Sequence, residues 1–134
     1  MHNGTVSSFI YICRDLDALL DDDVYGNISG STDSEHLAAL YMTYLTNGKG
    51  KASWELEYPI ESMRDAMRKA TGTVVRLQRE KLGEKAEPNS LNLAATDGMK
   101  LVAFRCRNHK TEQPPSLYWS TSAGVTLNRK FPDQ

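Results

Sequence analysis

The sequence predicts an α+β fold: helical spacing dominates the chain up to Gly83, strand alternation takes over near Leu91, and Asp97-Gly98 marks an antiparallel hairpin. In the first helix, Phe9, Cys13, Leu16 and Leu20 recur at helical spacing along one face, after a β-branched and aromatic start from Val6. The run Asp21-Asp22-Asp23 is expected to end it, and Val24 to Ile28 reads as a short strand. The second helix is plainer. Leu37, Leu40, Tyr41, Tyr44 and Leu45 share a face, and Asn47-Gly48 supplies a C-terminal stop. Lys49 to Pro59 is a polar connection carrying Trp54.

A longer stripe follows in Ile60, Met63, Met67, Ala70, Val74 and Leu77; Gly72 weakens that helix without breaking it. Its opposite face holds Arg64, Arg68, Lys69, Arg76 and Arg79, diluted by Glu61, Asp65 and Glu80, and reads as a solvated face rather than a docking site. Gly83 to Asn89 is a charged loop. Beyond it Leu91, Leu93 and Ala95 alternate with Asn92, Ala94 and Thr96, and Leu101 to Cys106 returns as the partner strand. Pro114-Pro115 breaks the run; Leu117-Tyr118-Trp119 reads as a third strand and Val125-Thr126-Leu127 as a fourth candidate.

A chain of 134 residues is one domain in size and long enough to bury a core. The net charge of -1 argues against a nucleic-acid partner, because phosphate binding needs a surplus of Lys and Arg. The apolar cluster from Phe9 to Ile12 is too short to span a bilayer, so no membrane association is expected. Asn3-Gly4-Thr5 and Asn27-Ile28-Ser29 match the glycosylation sequon, but with no leader in view neither is expected to be used. Cys13 and Cys106 lack CxxC spacing and read as buried thiols of a reducing compartment, which makes a cytoplasmic location the expectation.

Two short motifs carry possible chemistry. Taken alone, Asn3-Gly4 reads as a hairpin turn; its functional reading is a pair of converging donors, an amide side chain beside a glycine N–H, suited to an oxyanion. Thr32 with Glu35 forms a capping box, and Asp33 in the first turn suits the helix dipole. His2, His36 and His109 have no metal-ligand spacing among themselves or with the cysteines, so no metal is expected. The aspartates from Asp15 to Asp23 lack the pattern of a calcium loop and read as helix-end solvation. No glycine-rich phosphate loop is present, and no cofactor is expected.

Taken together the motifs point further. His2-Asn3-Gly4, then Ser31-Thr32-Asp33-Ser34-Glu35, then Leu91-Asn92-Leu93-Ala94-Ala95-Thr96-Asp97-Gly98 resemble, in order, landmarks of class II glutamine amidotransferases. The run Ser31 to Leu40, and Glu112-Gln113-Pro114-Pro115-Ser116-Leu117-Tyr118-Trp119-Ser120, resemble more narrowly the amidotransferase-like subunit of the cytosolic glutathione-degradation complex. The resemblance implies a four-layer αββα N-terminal-nucleophile hydrolase sandwich with antiparallel sheets, of which residues 1–134 would be a single partial domain. It implies that Asn3 and Gly4 line the oxyanion hole, and that Asp33 receives the α-ammonium of a γ-glutamyl substrate, either glutamine or glutathione. A peptidase-like partner subunit is also implied.

In that family a cysteine nucleophile and a supporting arginine precede the His-Asn-Gly landmark. The expectation is therefore a fragment that is inactive alone, or a remnant that only binds a partner or a γ-glutamyl ligand. His2 is expected to hold its strand by a hydrogen bond rather than to transfer a proton. Cys13 and Cys106 are expected in the core, since the family's nucleophile uses its own free α-amino group as base. Exposed apolar surface is a further expectation, because a missing half would have covered the sheet.

Overall fold

A computed structural model describes residues 1–118. Strand β1 (His2–Thr5) leads into helix α1 (Phe9–Asp17), a single helical turn α2 (Asp22–Tyr25) and helix α3 (Asp33–Thr46). A 3-10 turn at Lys51–Ser53 precedes the long helix α4 (Ile60–Leu82), a second 3-10 turn follows at Gly83–Lys85, and β2 (Ser90–Thr96) and β3 (Leu101–Arg107) form the hairpin. The three strands make one antiparallel sheet in the order β1-β2-β3. The expected α+β class is observed.

The core lies between the helices and one sheet face. Ile12 and Leu16 of α1, Leu37 and Leu40 of α3, Met63, Met67, Ala70 and Val74 of α4, and Leu91, Leu93 and Val102 of the hairpin join in one cluster. The stripe foreseen in α4 is buried from Met63 to Leu77 but not at Ile60, which is exposed at the helix start, while Arg64, Arg68, Lys69, Arg76 and Arg79 are exposed, as a solvated face requires. Gly72 sits within α4 without interrupting it. Among the described residues, no helix is long and apolar enough to cross a membrane.

Three local expectations are corrected. Val24 to Ile28 is not a strand: the Asp21 side chain accepts the backbone N–H groups of Asp23 and Val24, so the acidic run does not end α1, which stops at Asp17 with Leu20 beyond it, but caps α2. In α1 the fully buried face runs through Ile12 and Leu16, leaving Cys13 half-buried at its edge. Leu117 and Tyr118 form no strand; Trp119 and the segment 125–127 lie outside the described residues. Cys106 does pack against the core from β3.

Other local signals act as read. Thr32 Oγ1 accepts the Glu35 N–H at 3.3 Å, and the Glu35 carboxylate reaches back to Gly30 N–H at 3.0 Å, holding its own pKa below the usual range. Asn47 adopts the left-handed conformation that closes α3. At the hairpin, Asp97 accepts N–H bonds from Lys100 at 2.7 Å and Met99 at 3.0 Å, and these donors pull its pKa down to about 2.

Candidate functional site

Asn3-Gly4 is not a turn. Asn3 pairs with Asn92 and Gly4 with Leu91, inside the β1–β2 ladder. The reason for glycine is steric: Gly4 has φ +147°, and a Cβ there would lie 1.9 Å from the Ser90 carbonyl oxygen. Only a residue without a side chain lets β1 close on β2 at this point.

Alternation then sorts the side chains of β1. His2 shares a face with Leu93, toward the helices, while Asn3 shares the opposite face with Asn92. Asn3 is exposed. Asn92 is 4% exposed and donates from Nδ2 to the Ser116 carbonyl at 3.3 Å, so the segment after β3 covers that side. Arg105, the partner of Asn92 on β3, fastens the same segment by donating to the carbonyls of Pro114 and Pro115.

The edge of β1 is tied to the first turn of α3. His2 Nδ1 lies 2.8 Å from Ser34 Oγ, Ser34 Oγ donates to Asp33 Oδ1 at 3.3 Å, and Asp33 Oδ2 accepts the Val6 N–H at 2.8 Å. With the Ser34 hydroxyl donating to Asp33, His2 Nδ1–H is the donor to Ser34 Oγ. This leaves His2 Nε2 buried without a partner. Burial lowers the His2 pKa; the Asp33 charge opposes that shift and the terminal amino group adds to it. The imidazole is thus engaged as a strap between strand and helix.

The structure brings the two motifs into direct contact through His2 and Ser34, and Asp33 holds Val6 just beyond the first of them. It does not gather Asn3, Gly4 and Asp33 into one closed pocket. The adjoining cavity, about 990 Å³, is lined instead by their neighbours His2 and Ser34 together with Leu37, Tyr41, Met67 and Leu93. Its walls are apolar, and exposed Met1, Leu101 and Tyr118 stand around it, so apolar surface is open as expected. Two polar atoms belonging to its walls, His2 Nε2 and the Tyr41 hydroxyl, are buried without hydrogen bonds. Burial, with Asp97 nearby, pushes the Tyr41 pKa up, keeping it a neutral donor. A concave, mostly apolar cavity is the common form of a small-molecule site.

Linear reading missed two groupings. Gln78 and Asn89, each 1% exposed, bond to one another in both directions, and both hold Ser7: Gln78 Nε2 donates to its carbonyl and Asn89 Oδ1 accepts its N–H. Cys13, Asp17 and His36 also meet, although no spacing along the chain announces them. Neither cysteine is poised as a nucleophile. Burial raises the pKa of both thiols, and the Asp17 charge raises that of Cys13 further.

The chain is similar in sequence to a glutamine amidotransferase, the class its motifs resemble. The relative is the probable glutamine amidotransferase DUG3 of Saccharomyces cerevisiae, 33% identical over 123 residues, a match covering 90% of this chain and 34% of that protein. The chain therefore spans about a third of the length of this relative. No family model matches the chain, and no solved structure matches it.

Proposed function

We propose that this chain forms the γ-glutamyl-recognising part of a class II amidotransferase domain, with Asn3 and Gly4 on the oxyanion side and Asp33 as the α-amino anchor. The observation that carries the reading is the closeness of the two motifs: His2 meets Ser34, and Asp33 accepts the N–H of Val6, directly beyond the strand that holds Asn3-Gly4. A carboxylate offers about four lone-pair directions, so Asp33 keeps capacity for an ammonium group beside Val6 and Ser34. In this reading the sheet and its helical layer belong to a four-layer αββα sandwich. The parent reaction is thiolate attack on a γ-glutamyl amide, giving an acyl-enzyme that water hydrolyses to glutamate. Glutathione as substrate would release cysteinylglycine, and a peptidase-like partner would then consume it.

Titration of the purified chain with glutamine and with glutathione tests the recognition step by calorimetry and amide NMR. The expected result is a heat of binding with shifts at Val6, Asp33 and Ser34, both lost in Asp33→Ala. Absence of heat and of shifts with both compounds would refute it.

A further inference from the structure

We propose that Cys13, Asp17 and His36 form a three-ligand site for a thiophilic divalent cation of the zinc type. Cys13 and Asp17 stand four residues apart on α1, and so on one side of that helix. His36 comes from the first turns of α3. Cys13 Sγ lies 3.7 Å from Asp17 Oδ2 and 3.9 Å from His36 Nδ1, and the ligand atoms of all three residues fall within 4.8 Å of one another. A tetrahedral centre with a Zn–S bond of about 2.3 Å and Zn–N or Zn–O bonds of about 2.0–2.1 Å places its ligands about 3.3–3.6 Å apart. The two sulfur distances need close by only a few tenths of an ångström, while His36 Nδ1 and Asp17 Oδ1, now in hydrogen-bond contact, must part by about 0.8 Å to leave room for the ion.

The donor set decides the class of ion. A thiolate and an imidazole beside one carboxylate suit zinc; calcium and magnesium take oxygen donors almost throughout. Burial is graded as a site with an open position requires. The His36 side chain is 7% exposed and flanked by the Phe9 ring, whereas that of Asp17 is 20% exposed and Cys13 is half-buried, so solvent can supply the fourth ligand.

A catalytic relay is the competing reading, and the geometry speaks against it. In a nucleophile–base–carboxylate relay the two ring nitrogens face different partners. Here the same Nδ1 lies 2.5 Å from Asp17 Oδ1 and 3.9 Å from Cys13 Sγ. The three groups converge on one point, as metal ligands do. Binding requires the Cys13 thiol to give up its proton to solvent and His36 to offer the Nδ1 lone pair, with its ring proton on Nε2.

Cobalt(II) titration of the purified full chain tests this. One equivalent is expected to give a thiolate-to-cobalt charge-transfer band and the visible bands of a tetrahedral ion, and zinc should displace it. Cys13→Ser should abolish the charge-transfer band, and Asp17→Asn should weaken binding by at least about 10-fold, while Cys106→Ser retains the spectrum. Circular dichroism on each variant separates loss of ligand from loss of fold. No charge-transfer band in the parent chain, its survival in Cys13→Ser, or its loss in a folded Cys106→Ser would each overturn the site.

Discussion

Helices α3 and α4 are held to the sheet by volume; β1 and the turn into α1 are held mainly by hydrogen bonds, with Val6 as their one anchor in the core. Leu40, Ala70, Val74 and Leu91 are wholly buried at the helix–sheet contact. By contrast, the described strand β1 is mostly exposed, and its attachments are the β2 ladder, His2 to Ser34, Val6 to Asp33, and Ser7 to Gln78 and Asn89. Dispersion and burial are non-directional and tolerate repacking, whereas a polar strap has one geometry and fails when one partner is removed. Of the candidate ligand-contacting residues, Asn3 and Gly4 lie on the strapped strand, and Asp33, at the start of α3, is one of the groups it is strapped to. Precise placement of Asn3 and Asp33 thus depends on few atoms, and the apolar layer serves as their platform.

The largest expected effect tests the volume side. Leu40→Ala should cost about 3–4 kcal/mol by leaving a cavity, while Leu40→Met should cost less than about 1.5 kcal/mol. The next tests the strapped side with the same logic. Gln78→Met keeps chain length but strands the Ser7 carbonyl and the Asn89 side chain, and should cost about 2–3 kcal/mol in urea melts despite conserving volume. If Gln78→Met proves as mild as Leu40→Met, packing rather than hydrogen bonding holds the turn, and the contrast between the regions fails.

Gly4→Ala should come third, at about 2 kcal/mol, because the new Cβ collides with a backbone oxygen that cannot turn aside. The loss should be local. Hydrogen exchange should accelerate at the β1 and Val6 amides while α4 stays protected. Uniform acceleration across both regions would mean that β1 is part of the cooperative core.

The division also explains what could be read from the sequence. The α3 and α4 stripes and the β2–β3 hairpin were legible because each is a local periodicity or a turn signal, repeated over several residues. Val24 to Ile28 misread as a strand because its β-branched ends masked the stronger signal of Asp21 capping two amides. Asn3-Gly4 is a turn by local statistics and a strand in fact, since what selects glycine there is the Ser90 carbonyl, far along the chain. The Gln78–Asn89 pair and the Cys13–Asp17–His36 cluster have no local signature at all: each is formed only when separate elements pack. At the candidate site, order and identity of motifs were visible; the contact of Asp33 with Val6 was not.

The smallest expected effect concerns pH, and its sign discriminates between two descriptions of the strap. Burial holds the His2 pKa below its ordinary 6.5, so between the folded and unfolded values the unfolded chain binds more protons. Stability should therefore decline as pH falls through 6.5, and stop declining once the folded value is passed. With Nδ1–H already donated to Ser34, the added proton goes to Nε2, which is buried and has no acceptor; the penalty is desolvation rather than a broken bond. His2→Asn offers a donor without the titration, so its melting temperature should fall less than that of the parent chain between pH 7.5 and 5.5, values about one unit either side of the histidine pKa. The Asp33 charge acts in the opposite direction. If the parent chain instead gains stability relative to His2→Asn on acidification, the imidazolium is paired with Asp33. The strap would then be an ion pair rather than a relay of neutral hydrogen bonds through Ser34.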